Sequence, residues 1–110
     1  MIYLLDDESE ATAAIQRALR FAGITNTRAT HTWPACRTAM EKEPPALLLL
    51  DLLMPDCDGE ALLPEICARW PNLPVFIITG EHDLQRAVRC IKKGAVEYLT
   101  KPVAIKPLQP

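Results

Sequence analysis

Leu47-Leu48-Leu49-Leu50-Asp51 decides the reading of this chain, and Ile2-Tyr3-Leu4-Leu5-Asp6-Asp7 repeats its pattern near the start. A short apolar run bounded by polar residues reads as a strand buried on both faces of a parallel sheet. Both runs stop abruptly in carboxylates. In open α/β sheets the carboxyl ends of the strands line the ligand crevice. If the two strands are neighbours, Asp6, Asp7 and Asp51 converge there. Like charges that close repel, so the site requires a bound cation, a raised pKa, or both. A ligand set made only of oxygens suits a hard divalent ion such as Mg²⁺.

Working outward, short apolar runs alternate with amphipathic stretches. The pattern predicts strand one over 2–5 and helix one over 9–22. Ser9 is read as the N-cap, Ala11, Ile15, Leu19 and Ala22 keep helical spacing, and Gly23 is the stop. Strand two, over 25–30, is polar and β-branched, which places it at an edge. Thr32 caps helix two, over 33–42, with Pro34 in its first turn and Pro44-Pro45 beyond its end. Strand three covers 46–50. Helix three covers 60–70 and contains Pro64 past its first turn, so a kink or a later start is expected. Strand four covers 75–78. Helix four covers 83–93, with Leu84, Ala87, Val88 and Ile91 on its buried face and Gly94 as its cap. Strand five covers 96–99. Trp33 and Trp70 read as packing residues at helix ends. This alternation implies an α/β fold: a parallel five-stranded sheet, doubly wound, with right-handed crossovers and helices on both faces.

The chain has 110 residues, of which 49% are hydrophobic and 24% charged, with a net charge of −2. That suits one globular domain and gives no electrostatic reason to bind nucleic acid or an anionic membrane. No apolar run is long enough to span a bilayer, and the first residues do not resemble a signal peptide, so a cytoplasmic location is expected. The cysteines (Cys36, Cys57, Cys67 and Cys90) form no C-x-x-C pair, so zinc is not expected and they read as reduced filler residues. Cys57 is the one expected to be exposed.

Set side by side, the strand ends carry Asp6 and Asp7, Asp51, Thr79 and Lys101. Two acids suffice to hold a cation, and a third can act as a nucleophile toward phosphorus. A hydroxyl and a lysine can receive phosphoryl oxygens. Taken singly, each has a plain reading: solvated strand end, helix cap, turn residue, surface charge. Their coincidence at every central strand end outweighs those readings.

On Leu5-Asp6-Asp7-Glu8, Leu50-Asp51-Leu52-Leu53-Met54-Pro55-Asp56-Cys57-Asp58-Gly59, Thr79-Gly80 and Tyr98-Leu99-Thr100-Lys101-Pro102, the chain resembles the receiver domain of two-component response regulators. The stretch 79–103 is most similar to receivers that precede sigma-54-dependent activators. The resemblance implies a flavodoxin-like sheet of order 2-1-3-4-5. It implies that Asp51 accepts a phosphoryl group from a histidine kinase. It implies that Asp6, Asp7, Asp51 and the carbonyl of Leu53 hold Mg²⁺, and that Thr79 and Lys101 contact the phosphoryl oxygens. Tyr98 falls where the family places an aromatic that changes rotamer as Thr79 moves, and the Lys101-Pro102 bond is expected to be cis. His31 and His82 are given no direct role.

The receiver reading covers 1–103 and leaves 104–110 as a tail where relatives carry a fifth helix. Pro107 and Pro110 do not suit a helix there, so the last helix is expected to be missing or truncated, and the chain to be a truncated receiver prone to form homodimers. Output, including any transcription regulation or DNA contact, is assigned to a region outside these residues. Leu53 is apolar at a position where some fast-dephosphorylating relatives carry a polar group, so a long-lived phosphorylated state is expected, with Glu81 as a partial compensation. Ala46 replaces an acid common before strand three, with little expected effect. The functional expectation is a phosphorylation-dependent switch, not an enzyme in the turnover sense. The competing reading is a pseudo-receiver, a binding module that works without phosphorylation. The joint presence of Asp6, Asp7, Asp51, Thr79 and Lys101 argues against it. A Mg²⁺-dependent phosphatase would usually carry a second acid where this chain has Leu53, and would need a cap.

Overall fold

The computed structural model describes residues 1–55, 57–80 and 83–101. The expected cis bond at Pro102, the part given to Glu81, residue His82 and the 104–110 tail lie outside the described residues. The elements run β1 (Ile2–Leu5), α1 (Ser9–Phe21), β2 (Thr27–Thr30), α2 (Trp33–Lys42), β3 (Leu47–Asp51), β4 (Leu53–Met54), β5 (Cys57–Asp58), α3 (Gly59–Arg69), β6 (Val75–Thr79), α4 (Leu84–Lys92) and β7 (Glu97–Thr100). Five of these strands form one parallel sheet in the order β2-β1-β3-β6-β7. With the short antiparallel pair β4-β5 set apart, this is the expected order 2-1-3-4-5.

Strand alternation builds two unequal cores. Tyr3, Leu5, Leu48, Leu50, Val75 and Ile77 face α2, α3 and α4, together with Met40, Leu63 and Ile66. Leu4, Leu49 and Ile78 face Ile15 and Leu19 of α1. Among the described residues α1 is the helix of that second face, and Ile2, Leu47 and Phe76 are only half-buried there. Trp33 and Trp70 meet edge to face with ring centroids 6.4 Å apart, while the Trp33 indole donates to Glu65 Oε2 at 3.1 Å.

The helix ends follow local chemistry. Thr32 caps α2 by accepting from the Ala35 amide at 3.3 Å. Asp58 caps α3 by accepting from the Glu60 amide at 3.0 Å. After α1, Gly23 takes φ +92, Ile24 N–H reaches Leu19 O at 2.8 Å and Gly23 N–H reaches Arg20 O at 2.9 Å, which together close a Schellman motif.

Several expectations are corrected. Ser9 is the first helical residue of α1, not its cap; Glu8 holds the cap position without a side-chain bond, and its amide donates to Asp6 Oδ1 at 3.0 Å. The second strand starts at Thr27, since the Thr27 amide bonds back to Thr25 O at 3.0 Å. Helix three starts at Gly59, earlier than expected, and runs through Pro64 to Arg69; Pro64 faces solvent. Cys57 lies half-buried in β5. In α4 the fully buried side chains are Ala87 and Cys90, whereas Leu84 and Val88 are exposed.

One close approach fixes where α3 begins. A Cβ at Gly59 would sit 2.6 Å from the Asp51 carbonyl oxygen and 3.0 Å from Leu52 Cα. Both neighbours are backbone, so nothing flexible can yield. Gly59→Ala is expected to cost about 1–3 kcal/mol, the usual range for overpacking. Urea unfolding measures this, and an unchanged midpoint would contradict the tight seat.

Candidate functional site

Register brings the acids together. Leu5 pairs with Leu50 across β1 and β3, so the residues that follow, Asp6 and Asp51, leave the sheet side by side. Asp51 in turn pairs with Ile78 of β6, and Thr79 pairs with Thr100 of β7. Asp6 is 1% exposed, Asp51 2% and Thr79 0%, so the sheet ends in a buried polar layer. Asp7 and Lys101 are half-buried at its rim.

Ligand atoms from Asp6, Asp7 and Asp51 all lie within 4.8 Å of one another. Lys101 reaches over them, with Nζ 3.2 Å from Asp6 Oδ2 and 3.3 Å from Asp51 Oδ1. Its own amide donates to Thr79 O at 2.9 Å, which anchors the lysine to the end of β6. One ammonium faces three carboxylates, so the cluster remains negatively charged when all are ionised. Burial first, and then the charge of Asp6, lift the Asp51 carboxyl to about 6, against the pull of Lys101 and of a backbone hydrogen bond from Leu53. Burial alone would lower Lys101; the charges of Asp51 and Asp6 outweigh it and raise the ammonium.

Two oxygens are left over. Asp51 Oδ2 and Asp6 Oδ2 are buried with no hydrogen-bond partner among the described residues. The ammonium of Lys101 is ion-paired with the latter at 3.2 Å. Buried acceptors left unpaired are costly, and two of them turned into an acidic, oxygen-only cluster fit a hard divalent cation.

The remaining expected residues are placed less completely. Thr79 Oγ1 donates to Gly80 O at 3.3 Å, so its bonded partner is the loop backbone and not Asp51. Tyr98 is half-buried against the larger core. Leu53 is 52% exposed and opens the β4-β5 pair opposite Asp58. His31, given no role from sequence, has its Nδ1 2.9 Å from the Asp6 carbonyl oxygen. Its position directly after strand two, at the same sheet edge, was the signal available for it.

A family model described as the response regulator receiver domain matches residues 2–109. NtrC of Escherichia coli strain K12, a DNA-binding transcriptional regulator, is 39% identical over 105 residues, which is 96% of this chain and 22% of that protein. The chain thus spans about a fifth of the length of that relative. The receiver domain of NtrX from Brucella abortus superposes with a TM-score of 0.87 at 31% identity, over 94% of this chain and 87% of that one. The receiver domain of NtrC4, solved as a beryllofluoride-activated dimer, superposes with a TM-score of 0.84 at 30% identity, over 94% and 84% of the two chains.

The raised Asp51 carboxyl has a pH consequence. The folded state holds this proton more tightly than the unfolded chain, whose carboxyl titrates near 3.8. The group therefore destabilises the metal-free fold progressively as pH rises from about 4 to about 6. With divalent ions chelated, Asp51→Asn is expected to raise the melting temperature at pH 8 by several degrees, since about 1 kcal/mol moves a small domain by roughly 4–8 °C. The gain should vanish near pH 4. An equal gain at both pH values would exclude ionisation of the buried Asp51 carboxyl as its cause.

Proposed function

The chain belongs to the response regulator receiver domains, and on that premise we propose that it is a phosphorylation-dependent switch of two-component signalling whose phosphoacceptor is Asp51. The observation that carries this reading is the buried Asp51 Oδ2, a carboxylate oxygen with no hydrogen-bond partner among the described residues, beside two further acids and a lysine.

In this reading Asp6, Asp7, Asp51 and the Leu53 carbonyl hold Mg²⁺. When bound, Mg²⁺ neutralises charge on the acids and on the transferring phosphoryl group. Asp51 attacks phosphorus through a carboxylate oxygen, and the bond to the donor's leaving atom breaks as the acyl phosphate forms. At neutral pH a carboxyl that titrates at about 6 is mostly ionised and ready as a nucleophile. Lys101 shifts from the carboxylates to the phosphoryl oxygens. Thr79 exchanges its bond to Gly80 for one to the phosphoryl group, and Tyr98 follows into the space released. The surface of α4 and β7 then changes. Leu84, Val88 and Val96 are exposed there, which suits a face that meets a partner or a second copy.

The donor is a sensor histidine kinase, and the switch works in the cytoplasm. No described helix is long and apolar enough to cross a membrane. The active form is a homodimer, and the output lies in a region outside this chain, without direct nucleic-acid contact by the receiver. Self-phosphorylation from small donors and slow self-dephosphorylation are its only chemistry, without enzymatic turnover.

Intact mass after incubation with acetyl phosphate and Mg²⁺ tests this. One labile phosphoryl group is expected on the wild type and none on Asp51→Asn; no adduct on a folded wild type would overturn the reading. Leu53 offers no group to orient an attacking water. Leu53→Asn is therefore expected to speed loss of the phosphoryl group several-fold, and an unchanged lifetime would exclude that role.

A further inference from the structure

Helix α4 is held in place differently from the other helices. It buries Ala87 and Cys90, both small, whereas α3 buries Leu62, Leu63 and Ile66, and α2 buries Trp33 and Met40. With Ile91 half-buried beside Ala87 and Cys90, its apolar contact with the core is smaller than that of α3. Leu84 and Val88, the larger apolar side chains of its first turns, point to solvent.

A concentrated ionic contact stands in place of that packing. Glu60, in the first turn of α3, is 9% exposed. It accepts from Arg89 Nε at 3.0 Å and Arg89 Nη2 at 3.1 Å, from Lys93 Nζ at 3.0 Å, and from Arg86 Nε at 3.4 Å. Arg86 also bonds Asp58, the N-cap of α3. Arg86 and Arg89 of α4 and Lys93, its C-cap, recur at helical spacing, so one stripe of cations is gathered on one carboxylate. Hydrogen bonds from Arg89 and then Lys93 hold Glu60 down at about 2, despite the desolvation that opposes them. The cations remain open to water, with side-chain exposures of 24% for Arg86, 51% for Arg89 and 48% for Lys93. Dissolved ions therefore reach the cluster.

Both halves of this contact hang from strands that end in the acidic site. Glu60 follows Asp51 by way of β4 and β5, and α4 follows Thr79 and Gly80. We propose that the Glu60 cluster is an electrostatic latch that keeps α4 seated against α3 at rest, and that its release, not the repacking of a core, frees α4 to move when the site is occupied. The link to occupancy rests on the phosphoacceptor reading of Asp51; the latch itself is testable without any phosphodonor. Removing Glu60 takes away the shared acceptor of Arg89 and Lys93 and leaves Arg86 on Asp58 alone, so most of the ionic tie between α4 and α3 is lost.

Hydrogen–deuterium exchange on the 110-residue chain, without phosphodonor, tests the latch. In Glu60→Gln the amides of α4 are expected to exchange roughly tenfold faster while those of β1, β3 and β6 stay within about twofold, the mark of local opening. Arg89→Gln should act at the same place and less strongly, and it carries the test if Glu60→Gln does not fold. In the wild type, about 1 M salt, which shortens the screening length to roughly 3 Å, should also speed exchange in α4, and should add little in Glu60→Gln. Unchanged exchange in α4, or acceleration spread evenly over the strands, would overturn the latch. Labelling of wild-type Asp51 by acetyl phosphate separately decides the reading on which the link to occupancy rests.

Discussion

The crowding of Asp6, Asp7 and Asp51 under a single lysine is the constraint on which this structure turns. Left alone, the cluster is unfavourable: burial and mutual repulsion oppose ionisation, and two buried oxygens find no hydrogen-bond partner among the described residues. Such strain persists only where the surrounding structure enforces it. Here the enforcement comes from hydrophobic strands on both sides of the acids. Tyr3, Leu5, Leu48 and Leu50 are fully buried immediately before them, so the chain cannot relax the site without opening its core.

The connections after the strands are shaped by the same demand. Gly59 lets α3 start directly against the Asp51 backbone, and the small β4-β5 pair folds the intervening loop back on itself. The Leu53 amide is thereby available to Asp51, favouring the ionised form. The Lys101 amide is tied to Thr79 O, so the lysine is carried by the strand that pairs with β6. A receiver that responds to phosphorylation needs a rigid acceptor and a movable surface. The apolar grip on α1, α2 and α3 and the ionic grip on α4 divide those requirements between different parts of one sheet.

Much of this was legible in the sequence. Leu47 to Asp51 and Ile2 to Asp7 display the buried strands and their acidic ends directly, because a strand covered on both faces tolerates no polar interruption. The alternation with helical spacing then fixes the parallel sheet. Less was legible where the stabilising partner is distant in sequence. Glu60 looks like an ordinary first-turn acid until Arg86, Arg89 and Lys93 are brought to it from more than twenty residues away. The expected face of α4 holds for Ala87, which is buried, and for Ile91, which packs on the core, but not for Leu84 and Val88, which are exposed. The β4-β5 pair has two residues per strand, too short for any period to show. His31 is given no role from sequence because a loop histidine carries no pattern; register places its ring beside the Asp6 backbone.

If the three acids form one cation site, a divalent ion relieves their crowding. Calorimetric titration of Mg²⁺ into the metal-free chain at pH 5 and pH 8, with Asp7→Asn alongside, tests it most directly. One ion per chain is expected, with tighter binding at pH 8 than at pH 5, because the Asp51 carboxyl is lifted to about 6 between them, and with loss of binding in the variant. Binding that is absent at pH 8, or that is indifferent to both pH and Asp7, would contradict it.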